Sequence, residues 1–377
     1  MKLDKKKIVF LFGILVSAVC SWLFIRKVEW ASLHRAFSEA KYIYVLPTIF
    51  IIFVSYYIRA IRWAWLLAPV KKVSILNLFS VTIIGFMANN VLPARVGEII
   101  RPVMIAKREN VRLSTAAATV IIERVFDILS LIVLATVTLF LLPANITQKD
   151  QTGIADYANS AAHQEIIDEE TKDNDPDALK TTDKDEINIS TIKQLKKWSK
   201  LFTCFGGVSV LFLFLLSTYP RHASAVAKTL IFFLPHRLKD SLIGLIDSFV
   251  SGLQIFDNKK DLFSAGILSF VIWILNAAGI YILAYSFNLN LSFVGACFVM
   301  VCLSLAVALP QAPGYIGVFH IATQKTLSLF DIGMSSAQSY AILLWATSII
   351  PVTLIGFMLL WREGMGIMTI TKQEETV

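Results

Sequence analysis

Long apolar runs are the dominant pattern along the chain, and most of them have the length of a membrane-spanning helix. A helix needs roughly 20 apolar residues to cross the hydrocarbon core of a bilayer. The clearest runs are Ile8–Ile25, Tyr42–Ile58, Leu113–Leu142, Leu201–Thr218, Leu262–Phe287 and Tyr340–Trp361. The pattern therefore predicts an all-α fold, a polytopic integral membrane helix bundle.

Two of the apolar regions lead into short segments that cannot continue as regular helix. The first, "GFMANNVLPARVGEIIRP" (Gly85–Pro102), carries two asparagines, three charges and two prolines, and the second is "LPQAPGYIGVFH" (Leu309–His320). Proline removes a backbone donor and crowds the preceding turn. Irregular backbone at membrane depth is tolerated only where it is buried in protein or lines a wet cavity. Both segments are therefore predicted to be broken or re-entrant helices.

Basic residues between the apolar runs predict the topology. The start "MKLDKKK", the group Arg59, Arg62, Lys71 and Lys72, and the segment Lys107–Arg112 all favour the cytoplasmic side. For both internal basic groups to lie on that side, the chain between them must turn back inside the membrane. We expect cytoplasmic N- and C-termini in a bacterial inner membrane.

One hydrophilic segment divides the chain into three parts. Residues 1–144 form an N-terminal membrane half, residues 145–197 are rich in Asp, Lys, Thr and Asn, and residues 198–377 form a C-terminal membrane half. Hydrophobic residues in the middle segment are too scattered to build a core, so we expect an external, flexible insert. A small ligand-binding module there is the alternative. Further along, "LIGLIDSFVSGLQIF" has the apolar face of a helix lying along the interface.

The two irregular segments match each other without a gap. Leu92, Pro93, Gly97 and Ile99 correspond to Leu309, Pro310, Gly314 and Ile316, at a spacing of 217 residues. In the predicted topology the first segment enters the membrane from outside and the second from inside. Opposite entrances are typical of an inverted repeat, in which discontinuous helices meet near the midplane and form a substrate site. Chance is the alternative, because an apolar composition inflates such matches.

Polar residues of the first irregular segment are candidates for binding a phosphate. Arg95, Glu98 and Arg101 are three residues apart and would share one face of a helix. The two guanidinium groups match the geometry of a phosphate, and Glu98 could orient either one. Interfacial snorkelling is the alternative. Asn89 and Asn90 are expected to brace the broken helix or to contact the ligand.

A second charged group lies inside an apolar run. "IIERVFDILS" contains Glu123, Arg124 and Asp127 about ten residues after the start of the run at Leu113. Charges at that depth are expensive unless they face protein or water. The spacing allows all three to face the interior of the bundle. A structural salt bridge with an arginine of the first segment and a proton-coupling carboxylate are both compatible with this pattern.

The second irregular segment combines residues that open the backbone with neutral polar side chains. His320 could titrate near neutral pH, although a lone histidine is more often simply hydrogen-bonded. The residues that open the backbone are Pro310, Pro313, Gly314 and Gly317, and the polar ones are Gln311, Tyr315, His320 and Gln324. No aromatic-basic nucleic-acid motif, metal-ligand pattern or soluble-enzyme motif is present in the sequence, so we expect no nucleic-acid partner, no metal and no cofactor.

With these segments the chain resembles the membrane-region family of lysylphosphatidylglycerol synthases. The resemblance is carried by "NNVLPARVGEIIRP", "IIERVFD" and "LPQAPGYIGVFH" and covers the chain except for the hydrophilic segment. It implies a membrane domain that, in two-domain synthases, moves aminoacylated phospholipid between leaflets. The chain ends at Val377, so we do not expect the soluble aminoacyl-transfer domain or its activity.

Together, the residues and the resemblance predict a translocase that moves a phosphate-containing lipid between leaflets. The lipid would be a phospholipid or a polyprenyl phosphate, and a lipid-modifying enzyme is a further expected partner. The phosphate would engage Arg95 and Arg101, while the breaks at Gly97 and Gly314 would let the two repeats rock around the site. A membrane-embedded transferase or phosphatase acting on a lipid-linked substrate is one alternative. A non-transporting scaffold is the other.

Overall fold

The computed structural model describes residues 5–26, 28, 30–92, 95–142, 259–308 and 312–363. These residues form α-helices and short 3-10 turns, with no strand among them. In chain order the α-helices are α1 (Lys5–Ile25), α2 (Trp30–Glu39), α3 (Val45–Leu67), α4 (Ile75–Val91), α5 (Gly97–Glu109), α6 (Leu113–Leu141), α7 (Lys259–Ala284), α8 (Phe293–Ala308), α9 (Val318–Ser328) and α10 (Met334–Arg362).

The prediction of an α-helical membrane protein is confirmed. Three segments of the described chain are long and apolar enough to cross a bilayer: Tyr42–Leu67, Phe263–Phe287 and Met334–Arg362. Helix α6 has the same 29-residue length as α10 but carries charges in its first half. The expected insert at 145–197, the run at 201–218 and the interfacial helix within 219–258 lie outside the described residues.

Helices α3 and α7 pack against each other in antiparallel orientation. Near the start of α3, Thr48 Oγ1 lies 3.5 Å from the carbonyl oxygen of Gly279 in the second half of α7. Near the end of α3, Arg62 Nη1 donates to Ser269 Oγ in the first half of α7, at 2.6 Å. The two contacts run in opposite chain directions, so the helices are antiparallel.

Helices α4 and α5 form an antiparallel hairpin around the first irregular segment. A Cβ atom added to Gly97, the first residue of α5, would lie 1.8 Å from the carbonyl oxygen of Gly85 in α4. Small residues let helix backbones approach this closely. At the other end of the hairpin, Asn77 Nδ2 donates to Glu109 Oε1 at 3.1 Å. The break between Val91 and Gly97 therefore returns the chain along α4.

Helices α8 and α9 form a second antiparallel hairpin. The rings of Phe298, near the start of α8, and Phe330, just after α9, lie 6.1 Å apart. Between the helices, Gly314, Tyr315 and Gly317 have positive φ angles of 70°, 59° and 86°. Glycine adopts this conformation without steric penalty, so the two glycines suit the turn that reverses the chain.

Helix α1 supports the second hairpin at its break. Ser17 Oγ accepts a hydrogen bond of 2.8 Å from the backbone nitrogen of Ala312. A Cβ atom at Gly317 would lie 2.5 Å from the carbonyl oxygen of Ser17. The absence of a side chain at Gly317 is what allows α1 to pack this close.

The buried apolar residues form two clusters, one centred on α3–α6 and the other on α7–α10. In a membrane, burying such side chains gains little from the hydrophobic effect, because lipid tails are as apolar as leucine. Close packing holds the helices instead. Helix α4 contacts α10 so tightly that a Cβ at Gly356 would lie 2.3 Å from the Met87 Cβ.

Candidate functional site

Charged side chains from α3, α5 and α6 meet inside the bundle. Each of them forms at least one ion pair with another member of the group. We call this group the charged cluster. Its members are the arginines Arg59, Arg62, Arg101 and Arg124 and the carboxylates Glu98, Glu123 and Asp127.

Asp127 is the centre of the charged cluster. Its carboxylate lies 2.6 Å from Arg62, 3.3 Å from Arg59 and 3.2 Å from Arg124, measured between the nearest nitrogen and oxygen atoms. A buried carboxylate is tolerated only when it is paired and hydrogen-bonded. The arginines of α3 supply the compensating charges.

Glu123 connects α6 to α5. Arg101 Nη2 lies 2.9 Å from Glu123 Oε2, and Arg62 Nη2 lies 3.7 Å from Oε1. The guanidinium carbon of Arg101 also lies 4.4 Å from the centre of the Trp63 ring, which gives a cation–π contact. Arg101 is therefore held on two sides and is not accessible to a ligand.

The pair between Arg124 and Glu98 is the accessible edge of the charged cluster. Arg124 Nη1 lies 3.4 Å from Glu98 Oε1, and the two side chains are 34% and 25% exposed. No other member of the charged cluster has a side chain more than 9% exposed. A ligand that reaches the charged cluster therefore meets this pair first.

A groove between α5 and α6 leads to the exposed pair. It has a volume of about 300 Å³, and Glu98 and Arg124 are among its lining residues. The rest of the lining is apolar and includes Ile99, Pro102 and Val103 from α5 and Leu113, Ala117 and Val120 from α6. The groove therefore combines a hydrocarbon surface with one ion pair.

The two helix breaks meet beside this pair. Tyr315, in the break of the second hairpin, interacts electrostatically with Arg95, Glu98 and Arg124. A Cβ atom at Gly314 would lie 3.8 Å from the carbonyl oxygen of Asn90 at the end of α4. The structure thus brings together polar residues that are about 190 to 220 positions apart in the sequence.

Arg95 lies in the break itself rather than on a helix. Its φ angle is 54°, and α5 begins two residues later at Gly97. The guanidinium group is exposed and donates a hydrogen bond of 2.5 Å to the carbonyl oxygen of Val307, near the end of α8. The expectation that Arg95 shares a helical face with Glu98 and Arg101 is therefore wrong, because the break leaves Arg95 outside α5.

Other predicted site residues have structural contacts. Asn90 Nδ2 donates to Thr353 Oγ1 at 3.0 Å and so ties α4 to α10. Asn89 is buried, and its Oδ1 has no hydrogen-bond partner among the described residues. Pro313 begins the 3-10 turn that contains Gly314, whereas Pro310 and Gln311 lie outside the described residues.

His320 makes a hydrogen bond with the backbone and contacts with aromatic rings. Its Nδ1 accepts a hydrogen bond of 3.4 Å from the backbone nitrogen of Gly317. Its ring centre lies 5.1 Å from that of Phe24 and 5.6 Å from that of Trp345. The histidine therefore fixes the start of α9 and packs between aromatic rings.

The positions of Arg59 and Arg62 differ from those in the predicted topology. They were expected to mark a cytoplasmic loop after a helix ending at Ile58, but α3 continues to Leu67 and both side chains are buried. Sequence reasoning therefore missed two members of the charged cluster. Their spacing of three residues was the available signal, because it places both on one helical face opposite a buried carboxylate.

The predicted partner of Glu98 also changes. Glu98 was expected to orient Arg95 or Arg101, but it pairs with Arg124. Arg101 instead pairs with Glu123, as in the alternative of a structural salt bridge between the two charged segments. The pairing could not be read from the sequence because it depends on how α5 folds back beside α6.

Comparisons with known proteins agree on the kind of protein. Residues 10–155 and 194–356 match the family described as the lysylphosphatidylglycerol synthase transmembrane region. UPF0104 membrane protein MJ1078 of Methanocaldococcus jannaschii is 25% identical over 289 residues, which cover 76% of this chain and 98% of that protein.

A second relative is longer. Glycosyltransferase AglD of Haloferax volcanii is 24% identical over 351 residues, which cover 90% of this chain and 52% of that protein. The chain thus spans about half of that relative's length. No solved structure matches the chain. Because the family match includes most of both apolar halves, this multi-pass membrane protein belongs to the lysylphosphatidylglycerol synthase transmembrane-region family.

Proposed function

We propose that the protein is a translocase that moves a phosphate-containing lipid between the leaflets of the membrane. The observation that carries the proposal is an excess of positive charge where the two helix breaks meet. With Arg95 added to the charged cluster, five arginines face three carboxylates among the described residues. An anionic headgroup would balance this excess, and arginine matches phosphate geometry with two parallel donors.

The depth of the site supports this proposal. Arg124 is 11 residues after Leu113, the first residue of α6, which corresponds to about 16 Å along a helix. The hydrocarbon core of a bilayer is roughly 30 Å thick. The exposed ion pair would therefore lie near the middle of the membrane, where a polar group is maintained only at considerable energetic cost. Binding of a lipid headgroup as it crosses the membrane would explain an ion pair at this depth.

An inverted repeat, which we infer for the two halves, is supported by the helix boundaries. Adding the 217-residue spacing to the starts of α3, α4, α5 and α6 gives positions within four residues of the starts of α7, α8, α9 and α10. The equivalent helices α3 and α7 run antiparallel to each other. Repeats related in this way have opposite orientations in the membrane.

In this arrangement each hairpin would be re-entrant, and the two would enter from opposite sides. Their breaks would meet at the midplane, as the electrostatic interactions of Tyr315 with Arg95 and Arg124 support. Small rotations of one repeat against the other would then expose the same site to each leaflet in turn. A headgroup would cross without meeting hydrocarbon.

The orientation follows from the basic end of the bundle. Lys71, Lys72, Lys107 and Arg112 are exposed and lie at the end where α4 and α5 have their outer termini. The excess of lysine and arginine there favours the cytoplasmic side. We therefore place this end in the cytoplasm and the protein in the bacterial inner membrane.

An enzyme is the alternative function. One relative is named a glycosyltransferase, and this chain matches about half of it. A membrane-embedded transferase or phosphatase would use the same charged cluster to hold a lipid-linked substrate. The two functions differ in one observable, because a translocase leaves the mass of the lipid unchanged.

The test is exchange of labelled lipids between leaflets in proteoliposomes. Fluorescent phosphatidylglycerol, phosphatidylcholine and a polyprenyl phosphate would be compared, and lipid mass would be determined afterwards. We expect exchange of the anionic lipids with wild type, at least a tenfold reduction with Arg95→Ala, and no change in lipid mass. Lys41→Ala is the matched control, since it also removes one positive charge and one hydrogen bond, to Asn288 Oδ1 at 3.0 Å.

Three outcomes would contradict the proposal. A change in lipid mass would identify an enzyme. Equal rates of lipid exchange for Arg95→Ala and wild type would contradict a role of Arg95, and so of the first helix break, in transport. Absence of exchange of every lipid by folded protein would favour a scaffold that acts only with a lipid-modifying enzyme.

A further inference from the structure

Arg124 differs from the other arginines of the charged cluster in access and in its partners. It is the only one of the four with a side chain more than a tenth exposed. It contacts two carboxylates on different helices, Asp127 on its own helix at 3.2 Å and Glu98 on α5 at 3.4 Å. One of these contacts can be exchanged without leaving the arginine unpaired.

The contact with Glu98 is the longer and the more exposed of the two. Both side chains of that pair are partly exposed, at 34% and 25%. Asp127, by contrast, is buried and is also held by Arg59 and Arg62. An incoming anion would therefore displace Glu98 and leave the pair with Asp127 intact.

The position of Glu98 makes it a suitable group to release. It lies in the first turn of α5, where the helix dipole favours a negative charge. Its side chain is already 25% exposed. A displaced carboxylate would keep this interaction with the helix dipole while the incoming anion takes its place on Arg124.

The groove beside the pair has room for part of a hydrocarbon chain. Its volume is about 300 Å³, equivalent to about ten groups of roughly 30 Å³, the volume of one water molecule in the liquid. Its lining extends from Arg124 to Leu113, a distance of about 16 Å at the helical rise of 1.5 Å per residue. An apolar groove that runs along α6 and reaches a cation fits the part of one chain that lies next to an anionic headgroup.

We propose that the groove between α5 and α6 binds one hydrocarbon chain of an anionic phospholipid, and that the lipid phosphate replaces Glu98 on Arg124. This inference rests on the proposed function for the class of substrate. It assigns the headgroup to Arg124 rather than to Arg101, which is buried against Glu123 and Trp63. Glu98 acts as a competing anion that holds the site when it is empty.

The proposal predicts opposite effects for the two partners of one ion pair. Glu98→Gln removes the competitor and should increase binding of dioleoylphosphatidylglycerol severalfold, whereas Arg124→Gln should decrease it at least tenfold. A purely structural salt bridge would give losses for both variants. The measurement is the number of lipids retained by full-length protein in detergent during a titration, counted by native mass spectrometry. Dioleoylphosphatidylcholine, a zwitterion without net charge, is the comparison lipid.

Matched variants control for net charge. Glu39→Gln removes a negative charge from an exposed position at the end of α2, and Lys41→Gln removes a positive charge nearby. Both should bind dioleoylphosphatidylglycerol like wild type. If Glu39→Gln increases binding as much as Glu98→Gln does, the effect is one of overall charge and the proposal is overturned.

A second variant tests the chain separately from the headgroup. Ala117→Trp fills the groove and should reduce lipid retention at least tenfold, whereas Val137→Trp, on the exposed side of the same helix, should not. Unchanged retention by Ala117→Trp would overturn the assignment of the groove. Complete displacement of lipid by millimolar inorganic phosphate alone would also overturn it, because the site would then recognise free phosphate.

The outcome can be separated from that of the proposed function. Lipid binding with the predicted pattern but without exchange between leaflets would support the groove and contradict the translocase. Exchange that is insensitive to Glu98→Gln, Arg124→Gln and Ala117→Trp would support a translocase and overturn the groove as its binding site.

Discussion

The described helices α3–α6 and α7–α10 follow a similar order but have different chemistry at positions 217 residues apart. In the first half, Glu123 and Asp127 of α6 hold the buried charges. At the 217-residue spacing the second half has Tyr340 and Leu344 in α10. The Tyr340 hydroxyl donates a single hydrogen bond of 2.6 Å to the carbonyl oxygen of Ile280. Among the described residues, every buried aspartate, glutamate or arginine belongs to the first half.

The difference shows that this arrangement of helices does not require buried charges. The described part of the second half builds a long helix, a hairpin with a break and a further long helix without a buried aspartate, glutamate or arginine. Buried ion pairs rarely contribute net stability compared with apolar packing. The charged cluster is therefore not needed to form this arrangement of helices. Its presence in one half points to a role beyond folding.

The largest effect is expected from removing the centre of the charged cluster. Asp127→Ala leaves Arg59 and Arg62 buried without their carboxylate, and breaking a buried pair in this way typically costs about 3–5 kcal/mol. The free energy of unfolding in detergent, measured by titration with a denaturing surfactant, would show the loss. Leu344→Ala, at the equivalent place in the second half, serves as the control.

The control separates charge from volume. Leu344 is buried, and replacing it creates a cavity but leaves no unpaired charge. Restoring a carboxyl-shaped neutral group with Asp127→Asn should leave most of the destabilisation, because the arginines remain uncompensated. Full recovery of stability by the asparagine variant would contradict the view that charge pairing is what Asp127 supplies.

The next effect concerns the close contact in the first hairpin. In Gly97→Ala the added methyl would collide with the carbonyl oxygen of Gly85, and overpacking of this kind costs about 1–3 kcal/mol. Gly333→Ala is the matched control, since nothing lies within 4 Å of its added Cβ. Thermal unfolding of the two variants should differ clearly, and equal melting temperatures would mean that α4 and α5 separate easily.

A smaller effect is expected in the break of the second hairpin. Trp345 Nε1 donates a hydrogen bond of 2.6 Å to the carbonyl oxygen of Gly314, and losing one such bond costs about 0.5–1.5 kcal/mol. Trp345→Phe should therefore destabilise the protein modestly in thermal unfolding. Trp361→Phe, at a position 84% exposed, should have no effect, and a similar loss in both variants would point to aromatic bulk rather than the hydrogen bond.

The smallest effect depends on pH and lies at the outer end of the first hairpin. The hydrogen bond from the Lys71 ammonium is the main reason that the pKa of Glu109 is lowered. Because this pKa is lower in the folded chain, the contribution to stability is complete above the ordinary carboxyl value of about 4.3 and is lost as the pH falls below it. We expect less than about 1 kcal/mol, as for other surface pairs.

The measurement for this pair is the unfolding free energy between pH 7 and pH 3. Wild type should lose slightly more unfolding free energy than Lys71→Gln over this range. The variant lacks the Lys71 ammonium, so protonation of Glu109 breaks no ion pair in it. A steeper loss in Lys71→Gln would show that other contacts set the acid sensitivity of this end.

The sequence predicted the helices of the fold well because apolar length and proline are local signals. The break after Val91 follows from local composition, and so does the long helix that begins at Leu113. The ends of α3 were harder to predict. Arg59 and Arg62 look like loop charges until α6 is placed beside them, because burial of a charge depends on a partner far away in sequence.

The sequence indicated five of the seven members of the charged cluster but not their pairing. Glu98 and Arg101 were selected from the first irregular segment, and Glu123, Arg124 and Asp127 from their position inside an apolar run. The structure brings the five together. Which carboxylate meets which arginine is decided by the antiparallel return of α5 along α4. No local pattern carries that information, so the exposed character of Arg124 could only come from the structure.

The location of the charged cluster within the chain has a consequence for biosynthesis. All of its ion pairs join residues between 59 and 127, whereas the described second half contributes neutral groups such as Ser269, which accepts a hydrogen bond from Arg62. Chains are made from the N-terminus, and early segments fold first. The buried charges can therefore neutralise each other as soon as α6 has left the ribosome, before α7 is made. The described second half, which buries no aspartate, glutamate or arginine, is then inserted against a partner whose buried charges are already paired.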